Sequence, residues 1–439
     1  MKFYNREKEI SCLQEIEKQS VKSAQFTVIT GRRRIGKTQL LLNSLKGQPT
    51  LYFFVARKAE NFLCQDFIQE MKEKLTIPLL GEVSSFGSVF KYLMEYSRST
   101  PFNLIIDEFQ EFIHIAPSVY SEMQHYWDVN KNESKINLIV CGSVYSLMHK
   151  IFENSKEPLF GRATHTMKIR PFEASVLKEI LSSHNSTWSP DDLLALYSFT
   201  GGIAKYVQLF MDGGAHTKQS MINLMIQEDS PFLQEGKNML IEEFGKEYAT
   251  YFTILSAIAR GENTRNKIEA LVKREVGGYL TKMERDYNLI SKTSPIFSKA
   301  ETKNVRYVIE DNFLTFWFRF IYKYSHMVEI GGFGILKKII ERDYSTFSGK
   351  MLERYFRAIL TEENKFSRIG GYWDRKGGTE IDLIAVNEFD KYAEFIEVKR
   401  NGSEISLEKL REKSYAFLRA TGELEDYKIN LKGLSLQEM

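Results

Sequence analysis

The sequence predicts an α/β protein of several domains, and three observations carry that reading. Over the first 170 residues, short β-rich apolar runs alternate with helical patterns, as in a parallel sheet covered on both faces. From about Pro171 the pattern becomes one of amphipathic helices with little strand character until roughly residue 290. Past a glycine cluster at Gly331–Gly334, a helix, three strands and another helix form a second α/β module. The 439 residues, at about 150 per domain, suit two to four domains. The expected boundaries are 1–170 for an α/β core, 171–245 for a helical lid, 246–330 for a winged-helix region and 331–439 for the terminal module.

Taken in order, Ile10, Leu13 and Ile16 lie at helical spacing within residues 6–19. A strand follows at Phe26–Thr30 and ends in a glycine-bearing turn, with a helix at Thr38–Leu45. Thr50–Val55, Phe102–Ile106 and Ile136–Val140 read as strands, and Glu60–Leu75 and Phe86–Arg98 as helices. Further on, Tyr248–Ala259, Thr264–Val272 and Val276–Asn288 suggest three short helices, and Ile296–Ser298 with Val305–Ile309 a two-stranded wing. The aromatic stretch at 312–324 has helical spacing, and Arg319 and Lys323 break any membrane reading, so it is expected to be core or interdomain packing. The terminal module reads as a helix at about 347–361, strands Gly370–Asp374, Glu380–Val386 and Tyr392–Val398, and a helix at 406–419.

Composition excludes several classes. Hydrophobic residues make up 43% and charged residues 27%, ordinary globular usage, and 9 prolines with 27 glycines exclude a low-complexity chain. A net charge of +3 means that any basic surface must be local. Cys12, Cys64 and Cys141 form no CxxC pair and no even disulfide framework, which suits a reducing interior. The charged N-terminus does not read as a signal peptide, and no apolar run approaches the roughly 18 residues of a span, so a cytoplasmic protein without a membrane partner is expected.

Gly31-Arg-Arg-Arg-Ile-Gly36-Lys37-Thr38 fits GxxxxGK[ST] between an expected strand and helix. Glycines let backbone N–H groups curl around phosphate oxygens, and the helix N-terminus favours the anion. Lys37 supplies the point charge on the β/γ-phosphates and Thr38 a hydroxyl for Mg²⁺, with Arg34 and Gln39 in the same loop and first turn. A metal-bound triphosphate also needs a carboxylate at a neighbouring strand end. Asn103-Leu-Ile-Ile-Asp107-Glu108 offers Asp107 for Mg²⁺ and Glu108 to polarise water. Ser143, after Ile136–Val140, reads either as a γ-phosphate-facing group or as a turn residue. Charge developing on the γ-phosphate is commonly met by arginine, and Arg162 in Pro-Leu-Phe-Gly-Arg is the candidate, acting within its own chain or on a neighbour.

A second constellation lies near the carboxyl end. Glu380-Ile-Asp382 is followed, 15 residues after Asp382, by Glu397-Val-Lys399. Residues two apart on a strand share a face, so Glu397 and Lys399 project together, and a hairpin entered at Gly377-Gly378 brings Asp382 alongside. Two carboxylates make a hard-oxygen site for Mg²⁺ or Mn²⁺, and a lysine can orient or deprotonate the attacking water. Glu353 on the preceding helix is the candidate third carboxylate.

The set FYNRE, GRRRIGKT, LIIDEFQEF, VCGS, PLFGRAT and FTGGIAKY resembles the prokaryotic AAA+/STAND-related ATPases often called the archaeal ATPase family. Asp311-Asn-Phe-Leu-Thr-Phe-Trp-Phe-Arg-Phe320 is similar to a segment of that family's C-terminal region. The resemblance implies ATP and Mg²⁺ as cofactors, places Arg6 near the nucleotide base and likens the Gly201-Gly202 turn to the lid's sensor region. Asp382, Glu397, Lys399 and Glu353 resemble the PD-(D/E)XK nuclease superfamily, which implies a restriction-endonuclease-like fold for 331–439 and DNA as a partner. Two functions stay open. One is an ATPase that couples nucleotide state to DNA binding or Mg-dependent phosphodiester cleavage. The other is an ATP-driven switch with a catalytically inactive, DNA- or protein-binding C-terminal domain. A homo-oligomer is compatible with either.

Overall fold

The computed structural model describes residues 2–75, 83–375 and 378–439, so Gly377 of the expected hairpin entry lies outside the described residues. The chain divides into two compact units, Asn5–Arg170 and Met1–Tyr4 with Pro171–Met439.

The first unit is built on five parallel strands, β1 (Gln25–Thr30), β2 (Thr50–Phe54), β3 (Phe102–Asp107), β4 (Ile136–Cys141) and β5 (His165–Lys168), in the order β2-β3-β4-β1-β5. Every residue of β3 and β4 is buried, because helices cover both faces of the central strands. Leu104, Ile106, Leu138 and Val140 pack there with Phe53, Phe67, Phe86 and Trp127. Parallel pairing has one consequence for function: β1, β3 and β4 all end at the same edge of the sheet. The sequence reading missed β5, a four-residue edge strand with alternating half-burial, too short for its periodicity to show.

In the second unit, helices at Ala174–His184, Pro190–Thr200, Ala204–Asp212, Lys218–Met225 and Pro231–Phe244 precede three more, Tyr248–Ala259, Arg265–Val272 and Gly277–Arg285. A hairpin follows, β6 (Ile290–Thr293) paired antiparallel with β7 (Arg306–Ile309), in the place expected for a wing and termed the wing. The first wing strand was expected at Ile296–Ser298. Those residues instead lie in the wing loop, where Ile296 packs with Tyr372 and Ile381 of the terminal module.

The terminal module carries the sheet β11-β10-β9-β8, from β8 (Arg368–Trp373), β9 (Glu380–Asn387), β10 (Tyr392–Val398) and β11 (Lys428–Leu434). β8, β9 and β10 are antiparallel neighbours, whereas β11 runs parallel to β10 after the helix Leu407–Thr421. β11 is a further strand the sequence reading missed, its charged residues masking a half-buried edge. The helix expected at about 347–361 spans Phe333–Glu362, so the glycine cluster marks its start and Gly334 lies in its first turn.

The aromatic stretch is core. Phe316 lies 4.7 Å from Phe199 and Phe313 4.6 Å from Tyr206, and the Trp317 indole donates to the Leu233 carbonyl at 3.1 Å. The stretch packs on the helices of 174–244 and, through Phe252 at 6.1 Å from Trp317, on Tyr248–Ala259, while Tyr355 of the long helix Phe333–Glu362 lies edge-on to Tyr197 at 5.5 Å. No helix among the described residues is long and apolar enough to cross a membrane.

Candidate functional site

The first site forms at the common edge of β1, β3 and β4. The loop after β1 bends back at Gly31, where a Cβ would meet the Ile169 carbonyl oxygen at 2.9 Å. Gly36 caps the helix Lys37–Ser44 with φ +95 and no side-chain cap, so the first-turn N–H groups have no side-chain acceptor from the cap residue. That is the arrangement an anion completes. Arg34 also takes a positive φ in this loop. Lys37 is 7% exposed, and its ammonium donates to the carbonyls of Gly31 at 2.8 Å and Arg32 at 3.1 Å. Burial pulls its pKa down, while the nearby Cys141, Glu108 and Asp107 oppose that pull. Gln39 lies in the first turn and accepts from Asn43 through its backbone carbonyl at 2.8 Å.

Asp107 is gripped from four directions. Oδ2 accepts from Thr38 Oγ1 at 2.9 Å and Tyr52 OH at 2.6 Å, and Oδ1 from Cys141 Sγ at 3.0 Å and the Glu108 N–H at 2.9 Å. A carboxylate has about four lone-pair sites, so its acceptor capacity is filled. Burial and then the Asp107 hydrogen bond push the Tyr52 hydroxyl up, and burial pushes the Cys141 thiol up, so both stay protonated donors. Glu108 sits at φ +54, a left-handed backbone that turns its side chain away from Asp107's. Its Oε2 accepts from Ser143 Oγ at 2.7 Å and Gln110 Nε2 at 2.6 Å. Gly142 is required beside it, since a Cβ there would meet Gln110 Oε1 at 2.2 Å.

Sequence reasoning named Lys37, Thr38, Asp107, Glu108 and Ser143, which the fold gathers, and missed Tyr52, Gln110 and Cys141 as partners. Only Gln110, two residues after Glu108, carried a local signal. Arg162 is not gathered with these residues. Thr164 pairs with Phe26 near the start of β1, and Arg162 binds Asp128 at 3.1 Å and the Phe160 carbonyl at 2.9 Å. Four residues of β1, roughly 13 Å, separate Phe26 from the strand end that bears the loop. Arg162 thus stands at the opposite edge of the sheet from its own chain's loop. Arg6 is buried and donates to the Arg170 carbonyl at 2.7 Å.

The second site lies where β9 and β10 run side by side. The Val398 N–H donates to Asp382 Oδ2 at 2.8 Å, which fixes the hairpin register and turns Asp382 toward Glu397. Lys399 Nζ stands 3.5 Å from both Asp382 Oδ2 and Glu397 Oε1. Burial would lower its pKa, but the two carboxylates outweigh it and hold the ammonium above its usual range. Lys413, from the helix Leu407–Thr421 and absent from the sequence reading, adds a contact of 3.4 Å to Glu397 Oε1. Glu397 Oε2 is buried with no hydrogen-bond partner, the kind of orphaned acceptor a cation satisfies.

Glu353, expected to add a carboxylate to the metal or to the lysine, forms no group of three His, Cys, Asp or Glu side chains at metal-binding distance among the described residues. Its coupling is electrostatic: burial first, then Asp382 and Glu380, raise its carboxyl to about 7.

A parallel sheet with a phosphate-type loop after β1 and an Asp-Glu pair at the end of β3 defines a P-loop ATPase fold. Residues 3–210 match the family described as an ATPase domain predominantly from Archaea, and residues 317–410 match a second, described as archaeal and bacterial proteins of unknown function. The chain belongs to the family of the uncharacterized protein MJECL04 of Methanocaldococcus jannaschii, with 32% identity over 411 residues, 90% of this chain and 87% of that protein. Among solved structures, the Walker-type ATPase PABY2304 of Pyrococcus abyssi shares the fold at 20% identity and a TM-score of 0.54, over 72% of this chain and 96% of that chain. The Aeropyrum pernix ORC2 protein matches at 12% identity and a TM-score of 0.45, over 75% and 95% of the two chains.

Proposed function

We propose that the protein binds and hydrolyses Mg-ATP in the first unit and couples nucleotide state to DNA binding or phosphodiester cleavage by a PD-(D/E)XK-like terminal domain. The observation that carries the first half is the convergence of Lys37, Thr38, Asp107 and Glu108 at one edge of a parallel sheet. When bound, Mg-ATP supplies a charge-neutralised γ-phosphoryl group for transfer to water. Lys37 and the N–H groups of the loop, from Gly31 to Gly36 with Arg34 and Gln39 beside them, hold the phosphates. Thr38 and Asp107 are the residues to hold Mg²⁺. Glu108, tethered at Oε2 by Ser143 and Gln110, leaves Oε1 to accept a proton from the attacking water. The position of Arg162 at the far sheet edge supports a role on a neighbouring subunit rather than in its own chain.

In the terminal domain, Asp382 and Glu397 are the residues to hold a divalent cation, with the Lys399 ammonium to orient water and Glu353 to tune their charge. The buried, unpartnered Glu397 Oε2 supports this reading. A second reading, an ATP-driven switch whose terminal domain only binds, is favoured by one observation: Lys399 and Lys413 both lie on Glu397 Oε1 and already balance its charge.

One experiment addresses both halves. Fluorescent ATP binding is expected to be lost in Lys37→Ala and retained in Glu397→Ala. Cleavage of plasmid, linear and branched DNA with Mg²⁺ or Mn²⁺ is expected to vanish in Glu397→Ala. Unchanged nucleotide binding in Lys37→Ala overturns the ATPase reading, and cleavage indifferent to Glu397 overturns the nuclease reading.

A further inference from the structure

We infer that the wing forms one wall of the carboxylate site and that Arg306 on it binds the phosphodiester backbone of a nucleic acid entering that site. The inference rests on the nuclease-like reading of the terminal domain and deepens it.

A wing that projects freely presents a mobile loop to solvent, and this one is fastened along its length. The Ile296 N–H donates to the Gly371 carbonyl at 2.8 Å, and the Ile296 side chain joins the terminal module's core. Asn304 and Trp373 exchange two hydrogen bonds, Asn304 Nδ2 to the Trp373 carbonyl at 3.1 Å and the Trp373 indole to Asn304 Oδ1 at 3.0 Å. From the other side, Arg354 donates to the Ile309 carbonyl at 2.7 Å, and Arg354 directly follows Glu353. One end of β7 is thereby tied to β8, the neighbour of the strand that bears Asp382, and the other to the helix that bears Glu353.

This docking sets Arg306 at one end of the sheet. Its guanidinium carbon lies 4.3 Å from the centre of the Trp373 ring, and its Nη1 lies 2.6 Å from Glu380 Oε1. Trp373 and Glu380 are directly paired across β8 and β9, and Glu380 precedes Asp382 by two residues, so both acids project from the same face. Arg306 thus contacts the acid that stands two residues before Asp382 on the same strand, from a chain segment more than 70 residues earlier in the sequence.

The chemistry follows from the side chain. A guanidinium offers five N–H donors in a planar fork that matches a phosphate, and Glu380 engages only one of them in this contact. Stacking on Trp373 has already removed much of the rotamer freedom that binding would otherwise cost. Glu380 is 55% exposed, and a surface pair of this kind is weakly held, so a phosphate can displace it. Lys350, whose charge bears on Glu353, stands one turn earlier on the same helix and adds positive potential near the site. A site that cleaves phosphodiesters needs cations to receive the backbone beside its metal ligands; Lys399 and Lys413 lie on Glu397 itself, and Arg306 extends the positive charge two residues along β9.

The test is fluorescence anisotropy of the full chain with labelled duplex and single-stranded oligonucleotides, without divalent ions, over a series of salt concentrations. Arg306→Gln is expected to weaken binding about five- to tenfold and to reduce the slope of log K against log salt by about 0.9, one phosphate contact. Arg306→Lys is expected to keep the slope but lose part of the affinity, since charge survives and the fork does not. Glu380→Gln, which removes the internal competitor, is expected to tighten binding. Parental affinity and slope in Arg306→Gln, weaker binding in Glu380→Gln, or no binding by the parent overturns the inference. Arg306-dependent binding with no cleavage by the parent under Mg²⁺ or Mn²⁺ sinks the nuclease reading and leaves the binding role of Arg306 standing.

Discussion

Asp107 illustrates how much chemistry one side chain collects from distant chain. Its four donors come from β2, the loop helix, β4 and its own neighbour. When Thr38 turns its hydroxyl to a metal ion, Tyr52 and Cys141 remain to fix the carboxylate. A hydrogen bond to a charged acceptor contributes about 1.5–3 kcal/mol, so Tyr52→Phe is expected to raise the Mg²⁺ concentration needed for tight nucleotide binding about tenfold. Metal-free nucleotide binding stays unchanged, and titration of a fluorescent nucleotide at varied Mg²⁺ reads the difference. Glu353 yields a pH prediction. Its folded carboxyl titrates at about 7 against 4.5 for the free group, so the fold binds more protons than the unfolded chain between those values. Its stabilising share is fully present below about 4.5 and is lost as pH rises through about 7, an upper bound near 3 kcal/mol. Denaturant melts without divalent ions are expected to show a shallower loss between pH 5 and 7.5 in Glu353→Gln than in the parent.

Among the elements, the end of β10 is tied to the lid. Arg400, immediately after Lys399, donates to Asp191 Oδ1 at 2.7 Å and Ser348 Oγ at 2.6 Å, while Lys218 holds the other Asp191 oxygen at 2.6 Å. Asp191 lies in the first turn of the helix Pro190–Thr200, where the dipole already favours an acid. Removing one partner of a part-buried charged cluster leaves the others desolvated and unpaired. Arg400→Ala is therefore expected to cost about 2 kcal/mol in denaturant melts, with Asp191→Asn non-additive to it in a double-mutant cycle. Additive losses would show that the two side chains do not act as a unit. The same logic explains why the wing was only half legible. β7 is a β-rich run that shows in the chain, whereas Ile296 in the loop is apolar because it packs with Tyr372 and Ile381 of the terminal module. A buried loop and a strand leave the same pattern in the chain.

At the scale of the whole molecule, the location of Arg162 separates two modes of hydrolysis. The proposed role of Arg162 on a γ-phosphate requires another copy of the chain, since Arg162 precedes β5 at the sheet edge opposite its own loop. Lys37→Ala and Arg162→Ala chains are each expected to be inactive as ATPases. A mixture of the two is expected to regain part of the activity, and the parent's specific activity to rise with protein concentration. Inactive mixtures with a concentration-independent parent rate would rule out action between copies.

The glycine loop with Lys37 and Thr38, the Asp107-Glu108 pair and the Asp382…Glu397-Val-Lys399 spacing were legible in the chain itself. Each is a local pattern on a strand or turn, and local geometry follows from neighbouring residues. Tyr52, Cys141 and Lys413 as partners, the placement of Arg162 at the far sheet edge and the burial that raises the Glu353 carboxyl were decided only in three dimensions. These depend on strand order and helix placement, which are set by the mutual burial of surfaces far apart in sequence. Periodicity shows which face of an element is apolar, but not which other element covers it.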